Sequence, residues 1–487
     1  MSEYRRLQNV LFFVPTLEAG GAERVCLNFV NNLRRHRAWL LLQQKRGALM
    51  NELGPDIAVL EMFDPQWQGQ ERAWTWAGRL RETIRCMRFP IMGQLTRVLG
   101  KAAWRLGCGK LWRWPLRNWS ARILQAALWC LRGIGGILVA GTRRVKRGAG
   151  RVASGLSRAL RGLLRRMAAT YYLYSLLWQA RRIAALARQH NCIAVASFIT
   201  LPNLIAVLAK RLFHRRLKVV INVHDVTSRI LVESGLKGFE RVILRWLVRA
   251  LYPMADMIVA AAVGIKRDMI DNFGIAAERI VVINNPIDLQ RIRERAREVV
   301  DHPWFCRNGG PIVVAVGRLV KLKGYDFMIR AFARLPSEYK ARLVILGEGP
   351  ERPRLERLIE DHGLKGRAAL LGFQENPWKY MARADMLVLS SITEGLPNVI
   401  GEAMALDLPI LATDCSAGVR EYVQHGENGL LVSPGSVAAL ARGMERMIGE
   451  RELCAEMRQR SRARIERFDL PRIISAYEDV LERTIAE

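Results

Sequence analysis

Short apolar runs of strand length alternate with helix-length segments twice along this chain, and that alternation limits its fold more than any other feature. In the first half, residues 10–15, 39–43 and 57–63 read as strands, and a helix carrying Val25, Phe29 and Leu33 lies between the first two. The pattern resumes with strands at 193–198, 218–223, 257–261 and 281–284 and a helix over 204–213. The second half is more regular. Strands at 312–316, 343–346, 368–371, 386–390 and 410–413 alternate with helices near 326–334, 350–360, 397–406 and 436–447. Uninterrupted apolar strands separated by helices belong to parallel sheets covered on both faces. The mixed-charge residues near 295–310, ending in Cys306-Arg307-Asn308-Gly309-Gly310, read as a linker. The expected fold is therefore α/β, two doubly wound domains facing a cleft, over 1–295 and 311–470, with a closing helix at 471–487. Ligands in such sheets bind at the carboxyl ends of strands.

The alternation is interrupted by a region of different composition, spanning residues 65–190. The chain carries 76 Lys and Arg against 45 acidic residues, a net charge of +31. Between Gly78 and His190 there are 24 Lys or Arg and one acid, Glu82, so +23 of that charge sits there. Nine of the 13 Trp fall between Trp67 and Trp178. At 100° per residue, Val152, Leu156, Leu160, Leu163 and Met167 share one helical face, with Arg151, Arg158, Arg161 and Arg165 on the opposite side. Such a basic amphipathic helix with Trp nearby suits an anionic membrane interface. A solvated helical hairpin is the plainer alternative, but solvated faces mix signs and this one does not. Nucleic acid is disfavoured, because long apolar stretches at 126–131 and 171–177 break up any polar reading surface. A spanning helix is not expected: the most apolar stretch, 123–142, carries Arg132 near its middle. The start of the chain shows no secretory signal pattern. The eight Cys show no metal-ligand spacing and read as reduced thiols.

Two motifs carry chemistry. Thr393-Glu394-Gly395-Leu396-Pro397-Asn398-Val399-Ile400-Gly401-Glu402 follows an apolar strand and opens a helix. Pro397 suits the first helical position, and the N–H groups of Leu396, Asn398 and Val399 can face a phosphate, helped by the helix dipole. Glu394 and Glu402 bracket that anion site. The second motif, Gly317-Arg318-Leu319-Val320-Lys321-Leu322-Lys323-Gly324, follows the strand at 312–316, so Arg318 and Lys323 can converge on a diphosphate.

With these residues in place, the chain resembles the GT-B glycosyltransferases of family 4, retaining enzymes that use nucleotide sugars. The resemblance rests on the E-x7-E pair Glu394 and Glu402, the Gly317–Gly324 segment, Leu346-Gly347-Glu348-Gly349-Pro350 and Leu371-Gly372-Phe373. In the first half, Gly20-Gly21-Ala22-Glu23-Arg24, Ser197-Phe198-Ile199-Thr200, His224-Asp225 and Asn285-Pro286-Ile287-Asp288 match as well. It covers about residues 8–63 and 185–475. It implies two Rossmann-like domains with the basic block as a helical insertion in the first. It also implies that Arg318 and Lys323 grip the donor diphosphate, Glu402 holds the ribose hydroxyls and Glu394 orients the transferred sugar. Phe373 would line the base pocket, Gly347 would join the donor site, and Gly20 and Gly21 would let backbone approach the reacting phosphate. His224 would sit near acceptor and sugar.

The function so implied is transfer of a sugar from a nucleotide-diphosphate sugar to a lipid-linked or glycan acceptor, in surface polysaccharide or glycoconjugate synthesis. The enzyme would sit peripherally on the cytoplasmic face of the cell membrane. No cofactor or metal is expected, since no Asp-x-Asp occurs and protein cations would take the metal's place. The Gly347–Arg352 segment has Arg where a dinucleotide fingerprint needs its third glycine, which argues against NAD. The alternative is a basic protein that binds lipid or nucleic acid on an inactive transferase scaffold. Joint retention of Arg318, Lys323, Glu394 and Glu402 argues against it.

Overall fold

The computed structural model describes residues 7–18, 20–62, 174–233, 238–305 and 309–487. The expected amphipathic helix with Arg151, Arg158, Arg161 and Arg165 lies outside the described residues, as do most of the basic block and residues 306–308 of the expected linker.

Residues 1–62 and 177–487 form one compact unit, which contains two parallel sheets. The first is built from β1 (Gln8–Val14), β2 (His36–Leu42), β3 (Ala58–Glu61), β4 (Cys192–Phe198), β5 (Lys218–Val223), β6 (Met257–Ala260) and β7 (Ile280–Val282). Its order is β3-β2-β1-β4-β5-β6-β7, every pair parallel. The second holds β8 (Ile312–Val316), β9 (Arg342–Leu346), β10 (Ala368–Gly372), β11 (Met386–Leu389), β12 (Ile410–Thr413) and β13 (Leu430–Val432) in the order β10-β9-β8-β11-β12-β13, also parallel. The winding reverses between β1 and β4, and again between β8 and β11. The loops leaving those strands diverge there and open a crevice at each sheet's carboxyl edge.

Each sheet has its own core. Val313, Phe332, Ile345, Val388 and Met444 are buried together around the second. Around the first, Phe12, Phe29 and Phe198 pack with Tyr477, which arrives from the last helix, Leu470–Ala486. That helix buries Ile473, Ile474, Tyr477, Val480 and Leu481, an apolar stripe at helical spacing, so it must cover a sheet face. The face it covers belongs to the first sheet: the rings of Phe29 and Tyr477 stack with centroids 4.1 Å apart, and Glu478 accepts a hydrogen bond from the Arg34 N–H at 2.7 Å. The chain thus ends on the domain where it began.

The strand alternation stands as read, with bounds shifted by at most three residues. Edge strand β13 has only three residues and gives little periodic signal. Helix Arg451–Ile465 lies outside the alternation read from the sequence, because seven of its 15 residues are charged and it buries only Cys454, Met457, Ser461 and Ile465. Helix Leu289–Arg295 reaches the first residue of the segment read as a linker, and its N-terminus is capped by the Asp288 side chain, which accepts from the Arg291 N–H. Among the described residues, no helix is long and apolar enough to cross a membrane.

Candidate active site

The loops after β8 and β11 flank the reversal in the second sheet and are stitched to each other. The Ser390 hydroxyl donates to Lys323 O at 2.8 Å, and the Ile392 N–H donates to Leu322 O at 2.8 Å. This brings Lys323 Nζ to 2.6 Å from Glu394 Oε1, an oxygen that also accepts from the Ser391 hydroxyl at 2.6 Å. Arg318, on the same loop as Lys323, is exposed, and both cations act on Asp225. Gly347, after β9, has a φ of +144°, and a Cβ there would lie 2.0 Å from Gly317 O. Only glycine lets these two strand-end loops close up.

The first sheet meets this platform from the other side. A Cβ on Gly395 would fall 1.8 Å from His224 O, so the missing side chain is what admits the end of β5. The His224 ring stacks on Phe198, with centroids 5.5 Å apart and an interplanar angle of 11°. Its Nδ1 lies 3.2 Å from Asn285 Oδ1, and its Nε2 is buried without a hydrogen-bond partner among the described residues. Burial lowers the His224 pKa to about 4, with the Asn285 contact opposing the shift, so the ring is neutral at physiological pH.

Carboxylates surround the two cations. The walls of the cleft desolvate Asp225 and raise its pKa; Glu394 adds to the shift while Arg318 and Lys323 oppose it. Glu23, in the first turn of helix Gly21–Asn32, is raised in the same way by burial, with Arg318 again opposing. Strand ends more than 300 residues apart in sequence thus supply one shared electrostatic site. Among the described residues, no three His, Cys, Asp or Glu side chains converge in a way that could hold a metal.

The remaining candidates fall as follows. Pro397 is the N-cap of helix Asn398–Ala405, not its first residue: its ψ of 105° is extended, and helical geometry starts at Asn398. The Ile400 N–H bonds back to Pro397 O, leaving Asn398 and Val399 as the first-turn N–H groups. Leu396 and Pro397 are buried, and Gly395 with them. Glu402 lies one turn further in; burial raises its pKa, and the opposing charge is Arg24 rather than Arg318 or Lys323. Phe373 is 49 % exposed just beyond β10 and offers an open ring face. Gly20 caps helix Gly21–Asn32, and Gly21 O accepts from Asn398 Nδ2 at 3.5 Å across the cleft. Glu23, Asp225 and Asn285 join the site as well, although the sequence motifs that contain them give these three residues no role of their own. Their only signal was polarity immediately after buried strands or a glycine pair.

Two doubly wound domains thus make up one site, with Arg318, Lys323 and Glu394 at the crevice of one and the neutral His224 presented by the other. Residues 143–291 match the Glycosyltransferase Family 4 domain family, and residues 300–464 match the family described as Glycosyl transferases group 1. Over 276 residues the chain is 33% identical to N-acetylgalactosamine-N,N'-diacetylbacillosaminyl-diphospho-undecaprenol 4-alpha-N-acetylgalactosaminyltransferase of Campylobacter jejuni, covering 57% of this chain and 72% of that protein. It is 34% identical over 227 residues to the lipopolysaccharide core biosynthesis glycosyltransferase LpsE of Rhizobium meliloti, covering 46% of this chain and 64% of that one. Among solved structures, Anabaena HepE in complex with UDP-glucose aligns with a TM-score of 0.64 at 18% identity, covering 98% of this chain and 99% of HepE. The chain belongs to the GT-B glycosyltransferases of the family 4 and group 1 type.

Proposed function

We propose that this glycosyltransferase moves a sugar, with retention of configuration and without a metal, from a nucleotide-diphosphate sugar to a lipid-linked glycan at the cytoplasmic membrane face. The observation that carries the reading is the 2.6 Å pair of Lys323 and Glu394, which acts together with Arg318 on Asp225, the residue after His224. Arg318 and Lys323 stabilise the diphosphate as its bond to the sugar breaks. The acceptor oxygen bonds to the anomeric carbon on the face that the leaving oxygen vacates, and that phosphate oxygen takes the acceptor's proton. Glu394, held by Ser391 and Lys323, orients the sugar hydroxyls. Glu402 holds the ribose, the N–H groups of Asn398 and Val399 meet phosphate, and the open ring of Phe373 receives the base.

Support for the substrates comes from relatives. HepE has been captured with UDP-glucose, the C. jejuni relative is named for a diphospho-undecaprenol-linked acceptor, and LpsE is named for lipopolysaccharide core synthesis. We therefore read the acceptor as a polyprenyl-diphosphate-linked or lipopolysaccharide-type glycan. The test is a panel of UDP-sugars with undecaprenyl-diphosphate-linked glycans as acceptors, followed by NMR of the new linkage. Transfer with the donor's anomeric configuration kept is expected. An inverted linkage overturns the mechanism, and tight UDP binding with no transfer to any acceptor favours the inactive-scaffold alternative.

A further inference from the structure

His224 is held by a chain of amide groups whose hydrogen-bond directions are dictated by two backbone carbonyls. Gly21 O and Leu396 O can only accept. Asn398 therefore turns Nδ2 toward Gly21 O, at 3.5 Å, and presents Oδ1 to Asn285. Asn285 in turn donates through Nδ2 to Asn398 Oδ1 at 2.7 Å and to Leu396 O at 3.3 Å. Its Oδ1 is then the atom that meets His224 Nδ1 at 3.2 Å. Flipping the Asn285 amide would set its oxygen against two other oxygens. An acceptor facing Nδ1 places the imidazole proton there, which leaves Nε2 with a free lone pair.

The relay crosses the cleft. Gly21, His224 and Asn285 belong to the first sheet's domain, whereas Leu396 and Asn398 belong to the loop and helix start after β11. Asn285 is 4 % exposed, so its amide has no water to turn to if these partners withdraw only slightly. We propose that Asn285 is a positioning residue that ties the tautomer of His224 to the 394–398 loop across the cleft, making Nε2 a hydrogen-bond acceptor for a hydroxyl of the transferred sugar. The hydroxyl rests on the function proposed above; the tautomer does not.

The surroundings keep the ring neutral. Phe198 covers one face, and Asn285 supplies the side-chain hydrogen bond. The charged groups nearby are Asp225, next along the chain, and Glu394, Arg318 and Lys323, which act on Asp225 from the loops after β8 and β11.

The experiment uses the full chain labelled with ¹⁵N-histidine, with the His224 signal identified by its loss in His224→Gln. In the UDP-bound wild type, the spectrum should show neutral imidazole protonated at Nδ1 from about pH 5 to 8. Asn285→Asp places a carboxylate against Nδ1, so His224 should become cationic near neutral pH. Turnover of a UDP-sugar should then fall about tenfold, the scale of one lost hydrogen bond, and gain a limb that recovers as pH rises. Asn285→Ala should mix the tautomers and flatten that limb, while UDP affinity stays unchanged. A wild-type signal protonated at Nε2, or an Asn285→Asp variant with an unchanged His224 titration, overturns the proposal. If no UDP-sugar is turned over, the donor reading fails, and the tautomer is still decided by the spectrum.

Discussion

Lys323 and Glu394, 71 residues apart in sequence, share a 2.6 Å ion pair in which each side chain is less than a quarter exposed. One follows β8 and the other β11, the two strands between which the winding of the sheet reverses. The pair therefore marks the topological switch point and charges it at once. On the donor reading proposed above, a diphosphate would meet a lysine already oriented by its carboxylate, and Ser391, which donates to the same carboxylate at 2.6 Å, would hold that carboxylate when the lysine turns to phosphate.

Glu394→Gln and Lys323→Ala should each lower turnover by about 10²-fold or more, the scale of losing one preorganised charge at a reacting centre. Each removes half of a partly buried pair, so stability should fall by no more than about 1–3 kcal/mol. Steady-state kinetics beside denaturant melts checks both. Full activity in a folded variant would count decisively against this donor site.

Activity should survive metal chelation. The absence of Asp-x-Asp in the sequence, together with Arg318 and Lys323 at the crevice, motivates this expectation. Transfer assayed in EDTA, with and without added Mg²⁺ or Mn²⁺, is the measurement. Loss in EDTA with recovery on adding metal refutes it.

His224 should make the fold sensitive to acid. Its pKa is about 4 in the native state against an ordinary 6.5, so the unfolded chain takes up a proton that the native one refuses. Stability should therefore decrease as pH falls from about 6.5 toward 4, by at most about 3 kcal/mol, and this contribution should level off below. Glu23, Asp225 and Glu402 have raised pKa values and act in the opposite direction, stabilising as they protonate. The His224 share is thus read as the difference between wild type and His224→Gln in urea melts across that range. Parallel curves would remove it.

The basic block should bind anionic membrane and be dispensable for donor binding. Its charge of +23 and the Arg151, Arg158, Arg161 and Arg165 face motivate this, whereas the donor residues lie almost entirely beyond Pro311. Co-sedimentation with neutral and anionic liposomes should show anionic preference that moderate salt weakens. Changing those four arginines to Glu should release the protein while UDP affinity holds. Equal sedimentation of the charge-reversed variant would end the membrane reading.

Strand positions, the doubly wound class and the loops bearing Arg318, Lys323, Glu394 and Glu402 were legible in the sequence. Short β-branched apolar runs such as Ile312–Val316, alternating with helix-length segments, read as buried parallel strands, and a loop after such a strand lies at the sheet's carboxyl edge. The contacts made there were not legible, because hydrogen-bond direction across a cleft has no periodicity along the chain. Asn285 reads as an ordinary polar residue until Leu396 O and Asn398 Oδ1 stand opposite it. Pro397 reads as a first helical residue until its extended ψ shows it to be the cap. The last helix announces an apolar stripe but not its destination, since any sheet face of matching shape would satisfy the same residues; packing of Tyr477 on Phe29 and Phe12 decided that it returns to the first domain. Local periodicity and glycine placement thus belong to the sequence alone, because they depend on neighbours a few residues away. Which nitrogen of His224 carries its proton was left to the tertiary structure, because that depends on groups brought together from opposite domains.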